Sequence, residues 1–122
     1  MISGVKHVSI PVKNQESALK FYTEKLGFEI LVDVEFEPGG QRWIELKIPG
    51  AKTQVVLFTP EGHEERVGTF SNIVFTTEDI EKTYQDLKNK EVKFTQGLTT
   101  EPWGTFALFK DPDGNVFCLS SS

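Results

Sequence analysis

His7, Glu45 and Cys118 each place a reactive group on a strand-like stretch of this 122-residue sequence. A histidine there can bind a metal or carry a proton, and as readily be a satisfied structural group. A carboxylate such as Glu45 can act as a metal ligand or general base. It can equally form a cross-strand ion pair with Lys47 or Arg42. Cys118 becomes a nucleophile or a soft-metal ligand only if its thiol is acidified. Otherwise it is a small buried side chain, as cysteines commonly are.

Period-two alternation positions all three. In Lys6 to Val12, the residues Val8, Ile10 and Val12 form an apolar face, while Val5, His7, Ser9 and Pro11 point the other way. Pro11 has no N–H to give a neighbour, which predicts a strand at an edge or ending there. In Arg42 to Ile48, the apolar layer takes Ile44, Leu46 and Ile48, which sends Trp43, Glu45 and Lys47 to the opposite side. Around the turn at Asp113, hairpin parity sets Leu108 opposite Cys118, so Phe106, Leu108, Val116 and Cys118 share a face. The predicted cleft is lined by Trp43, Phe106, Leu108 and Trp103, with His7, Glu45 and Cys118 among its polar groups. Such a surface suits a flat or amphipathic small molecule.

The elements carrying these residues repeat. After the first strand, Asn14 is a good N-cap, and Ala18, Leu19, Tyr22 and Leu26 recur at helical spacing, predicting a helix over Gln15 to Leu26 that Gly27 stops. An alternating stretch comes next at Phe28 to Phe36, and two further strands at Arg42 to Ile48 and Thr53 to Thr59 are joined at Pro49-Gly50. A polar linker, 61–68, contains His63. Beyond it come a strand at Phe70 to Thr76, a helix capped by Thr77 with Ile80, Tyr84 and Leu87 on one face, and an extended segment at Val92 to Thr95. A hairpin joins Gly104 to Lys110 and Asn115 to Ser120 around Asp111-Pro112-Asp113-Gly114. The order β-α-β-β-β thus occurs twice, over about 1–60 and 69–122. An offset of about 65 residues lays Asn72 on His7. The fold class expected is α+β: two tandem βαβββ modules in one domain, forming a curved eight-stranded mixed sheet around a cleft with the helices outside.

A net charge of −5 argues against nucleic-acid and anionic-membrane partners, which select for clustered Lys and Arg. One cysteine leaves no internal disulfide, and no apolar run reaches the length of a bilayer. A soluble cytoplasmic protein is expected.

Three stretches carry a family resemblance: His7-Val8-Ser9-Ile10-Pro11-Val12, Ala18-Leu19-Lys20-Phe21-Tyr22 through Leu26-Gly27-Phe28, and Phe109-Lys110-Asp111-Pro112-Asp113-Gly114-Asn115-Val116-Phe117. The chain resembles the vicinal oxygen chelate superfamily, which includes glyoxalase I, bleomycin and fosfomycin resistance proteins and extradiol dioxygenases. The resemblance implies a divalent metal such as Zn, Ni, Mn or Co in its enzymes, held by the first and last strand of each module. It implies a homodimer as well. Carried over residue by residue, the ligand positions fall on His7, Leu57, Asn72 and Cys118, of which His7 alone keeps the expected type. These positions establish no cofactor and point to binding of a small organic ligand. The alternatives are a metal-assisted lyase or isomerase, or a thiol transferase, using His7, Glu45 and Cys118, and a structural or regulatory dimer.

Overall fold

Strand β1 (His7–Pro11) enters helix α1 (Gln15–Lys20) through Asn14, whose side-chain oxygen accepts the Ser17 N–H at 3.0 Å. That bond satisfies one of the donors every helix start leaves over. The helix widens into a π-helical turn at Phe21–Lys25, where the Leu26 N–H reaches the Phe21 carbonyl, and Gly27 stops it at φ +77°. The computed structural model describes residues 1–36 and 38–122. These divide into two units, Met1–Val67 and Gly68–Ser122.

In the first unit, β2 (Glu29–Glu35), β3 (Arg42–Lys47) and β4 (Gln54–Phe58) complete a four-stranded sheet in the order β1-β4-β3-β2. β1 lies at an edge, parallel to β4, and the other pairs are antiparallel. An edge strand tolerates Pro11 because its missing N–H interrupts no ladder on that side. The core is filled from the sheet by Ile10, Ile44, Leu46, Val55 and Leu57 and from the helix by Ala18, Leu19, Phe21 and Tyr22. Each large apolar side chain buried this way contributes about 1.5–3 kcal/mol.

Two side chains fasten α1 to the sheet. The Gln15 amide donates to the carbonyls of Arg42 and Leu57 and accepts the Arg42 N–H at 2.9 Å. The Arg42 guanidinium grips both Asp33 oxygens and reaches Glu16 at 2.7 Å. The Arg42 hydrogen bond holds the Asp33 carboxyl below the usual carboxylate range. Because that pKa is depressed on folding, the pair's contribution is present above the unfolded value and is lost as pH falls through the lowered one.

The second unit repeats the order with β5 (Phe70–Thr77), α2 (Ile80–Asn89), β6 (Lys93–Glu101), β7 (Gly104–Lys110) and β8 (Val116–Ser121), in a sheet ordered β5-β8-β7-β6. The α+β class and the doubled β-α-β-β-β order therefore hold, as two four-stranded mixed sheets. Phe75, Phe109 and Phe117 pack ring against ring, with centroids 5.3–6.2 Å apart, beside Ala107 and Leu119. Two expectations shift here. The cap of α2 is Asp79, which accepts the Lys82 N–H, while the Thr77 hydroxyl pairs with that of Thr83 at 2.7 Å. The extended segment predicted at Val92 to Thr95 runs on to Glu101, its pairing with β7 interrupted between Phe94 and Gln96 and between Gln96 and Thr99. Those irregularities hide the strand from a period-two pattern. Among the described residues no helix is long and apolar enough to cross a membrane.

The Asp-Pro-Asp-Gly-Asn turn has a physical basis. Asp111 and Asn115 are both buried; one Asp111 oxygen accepts the N–H groups of Asp113 and Asn115, and the other accepts the Asn115 side chain at 2.9 Å. Asn115 also accepts the Gly68 N–H at 2.8 Å, where a Cβ on residue 68 would sit 3.0 Å from the Asp113 carbonyl oxygen. Asn115→Ala strips partners from a buried carboxylate and a backbone N–H. A loss of about 2–4 kcal/mol is expected in the urea unfolding free energy.

Candidate functional site

Strand register decides which side chains share a surface. In the first unit, Ile10, Leu57, Ile44 and Asp33 form one row across the sheet, on the face that α1 covers. The next row, Ser9, Val56, Glu45 and Val32, faces away from the helix. His7 aligns with Gln54, Lys47 and Glu29, and Trp43 with Val34, on that same open face. His7, Trp43 and Glu45 are thus brought together, each half-buried.

The Trp43 indole joins them. Its Nε1–H donates to Glu45 Oε1 at 2.9 Å, and its ring meets the His7 imidazole edge-on, centroids 6.0 Å apart at 77°. Val56, between Ser9 and Glu45 in their row, is 1% exposed. Phe36 lies 6.3 Å from Trp43 on the other side and is 66% exposed, next to Val34 at 54%. Glu45 is therefore not the partner of Arg42, whose guanidinium is engaged on the helix side. Among the described residues no hydrogen bond reaches its second oxygen, Oε2. His7 Nδ1 is buried and likewise lacks a partner among the described residues. Buried polar atoms are nearly always satisfied, so an orphan of this kind marks a place where something else can bind.

Leu57 requires a correction. It is fully buried between Ile10 and Ile44 on the helix face and lines no open surface. A shift of one residue along a strand reverses the side on which a residue stands. The neighbour that register places on the face away from the helix is Val56, itself 1% exposed. Asn72 is corrected as well. Gln54 N–H bonds the Lys6 carbonyl in the first unit, and Val116 N–H bonds the Thr69 carbonyl in the second, so Phe70 is the counterpart of His7. Two extra residues then enter β5 before Val74 pairs with Cys118, and Asn72 stands in that bulge at φ +63°. Asparagine tolerates such a left-handed conformation better than most residues.

The open face of the second unit has the row Val74, Cys118, Leu108 and Gln96. Phe106 lies two residues from Leu108, and Trp103 stacks on it with centroids 5.1 Å apart and 68% of the indole residue exposed. Burial pushes the Cys118 thiol above its ordinary pKa.

A catalytic divalent metal takes about three protein ligands and an open position. Among the described residues no three His, Cys, Asp or Glu side chains converge to hold one. The side chains that register puts on the open faces in place of Leu57 and Asn72 are Val56 and Phe70, and neither can donate to a metal. The donor set does not fit the group.

The sequence pattern could not have shown Val32, Val34 and Phe36 on the open face, because a bulge at Leu31 breaks the alternation between Ile30 and Val32. An apolar residue on both sides of an apolar one was the available signal.

A family model for the Glyoxalase/Bleomycin resistance protein/Dioxygenase superfamily matches residues 4–119. The Bacillus subtilis protein YetH, of uncharacterised function, is 38% identical over 98% of each chain. Among solved structures, a Sphaerobacter thermophilus protein of that superfamily is similar at 37% identity and a TM-score of 0.88, covering 99% of this chain and 98% of its own. TnmS3 from Streptomyces sp. CB03234, described as an antibiotic binding protein, is similar at 34% identity and a TM-score of 0.83, covering 98% and 96%.

Burial without an acidifying neighbour sets the reactivity of Cys118. Its alkylation by iodoacetamide is expected to reach half its maximal rate at a pH above the ordinary thiol value of about 8.5. A midpoint below about 8 in the pH–rate profile contradicts this reading.

Proposed function

From a chain that belongs to the Glyoxalase/Bleomycin resistance protein/Dioxygenase superfamily, we propose a binding protein for a flat organic small molecule. The ligand lies on the open face of the first unit, over Trp43, Val34 and Phe36, with Glu45 and His7 supplying its polar contacts. The observation that carries this reading is the Trp43 side chain, tied at one edge to Glu45 and at the other to His7. An indole fixed in this way offers a rigid stacking surface at little further cost in side-chain entropy. Apolar side chains that remain exposed beside it, in a patch, mark a place where another molecule binds.

The likeness to an antibiotic binding protein along nearly the whole chain supports binding over chemistry. In the second unit, taken by itself, Phe106, Leu108 and Trp103 are proposed as a ligand-contacting surface. The working form is a cytoplasmic homodimer, supported by the apolar Ile30 and Leu31 exposed on the edge strand β2. The enzyme alternative, a metal-assisted lyase or isomerase or a thiol transferase built on His7, Glu45 and Cys118, is weakened by the donor set and by the raised thiol.

A thermal-shift panel of planar aromatic compounds tests the proposal. A compound at a hundred times its dissociation constant is expected to stabilise the protein by about 2.7 kcal/mol. Trp43→Ala is expected to weaken that compound about tenfold or more, the scale of a lost aromatic anchor. A panel without a stabilising compound, or affinity indifferent to Trp43→Ala, counts against it.

A further inference from the structure

The geometry points to a cation: the open face of the first unit selects flat aromatic ligands carrying a positive charge, which Glu45 Oε2 receives. This deepens the proposed binding function and rests on it. Glu45 stands in the middle of a row whose other members, Ser9, Val56 and Val32, carry no charge, and beside it lie Trp43, Val34 and Phe36. Arg42 points to the other side of the sheet, where Asp33 and Glu16 hold it. Lys47, the next residue on the open face of β3, is exposed and in register with Glu29. The carboxylate at the centre of the face thus has one hydrogen bond, from an uncharged indole N–H, and no ion pair among the described residues.

A ligand that covers this face must take Glu45 out of water. For a neutral hydrocarbon-like ligand the cost is an ionised group buried with a single hydrogen bond, which disfavours binding. A ligand with a protonated nitrogen reverses the sign, since it brings a charge-assisted hydrogen bond to Oε2. The aromatic walls act in the same direction, because the faces of Trp43 and Phe36 carry the negative potential that attracts cations. The indole N–H holds Oε1 and leaves Oε2 without a hydrogen bond among the described residues, which makes Trp43 a positioning residue as well as a stacking surface.

Three probes of one shape separate charge from size: 9-aminoacridine, a cation at neutral pH; acridone, neutral; and 9-anthroate, an anion. Dissociation constants are measured by calorimetry at one ionic strength. The cation is expected to bind about tenfold or more tightly than acridone, the scale of one charge-assisted bond, and the anion least tightly. Glu45→Gln keeps an oxygen for the Trp43 N–H and removes the charge, so it should bring the cation-to-neutral ratio to about one. Glu29→Gln, which removes a different carboxylate from the same face, should leave that ratio unchanged. If acridone or 9-anthroate binds the wild-type protein as tightly as 9-aminoacridine, cation selection is overturned while the binding reading stands. If none of the three binds, both fall. A ratio that survives Glu45→Gln overturns the assignment to this residue.

Discussion

Ile44 and Leu46 are fully buried, and a strand cannot turn two alternate residues inward without turning the residues on either side of them outward. That constraint on β3 governs the open surface of the first unit. Once the core claims these two, Trp43 and Glu45 must stand on the open face, two residues apart, at a separation that lets the indole N–H meet the carboxylate. Arg42, on the core side, is free to clamp Asp33 and the first turn of α1. One strand thereby binds the helix with one side and shapes the candidate site with the other.

The two units share this plan and differ where it bears on chemistry. The hydrogen bonds that align β1 with β4 have counterparts between β5 and β8. After those counterparts, the second unit admits the bulge around Asn72. On the open faces of the parallel strand pairs, the first unit offers His7 and Val56 and the second Phe70 and Cys118. What remains is aromatic and apolar surface with a few fixed polar atoms, a composition that favours recognition by stacking and by a small number of directional bonds.

Much of this was legible in the sequence because alternation is a strong signal on short buried strands. The faces of β1, β3 and the β7–β8 hairpin are set by it, as are the positions of Trp43, Glu45 and Leu108. The misplacements have two causes. An unbroken period or a constant offset misplaces Asn72 and the apolar run of β2, because a single inserted residue at Leu31, or two in β5, reverses or displaces every later side chain in the strand. Leu57 lies in the continuous apolar run Val55-Val56-Leu57-Phe58 of an unbulged strand, which has no period to tell its two faces apart. Bulges leave little trace in side-chain chemistry, so backbone hydrogen bonds are needed to find them. The bond between Trp43 and Glu45 is hidden for a different reason. Alternation puts both residues on one face, but the side-chain rotamer that brings the indole to both His7 and Glu45 is not encoded in a pattern.

For the open face to be the binding surface, Trp43 must lie under the ligand. In a 15N-labelled sample titrated with 9-aminoacridine, the Trp43 indole N–H and the amides of 43–47 and 54–58 are expected to shift together and saturate. Saturable binding that leaves the Trp43 signal in place would contradict the assignment of this face.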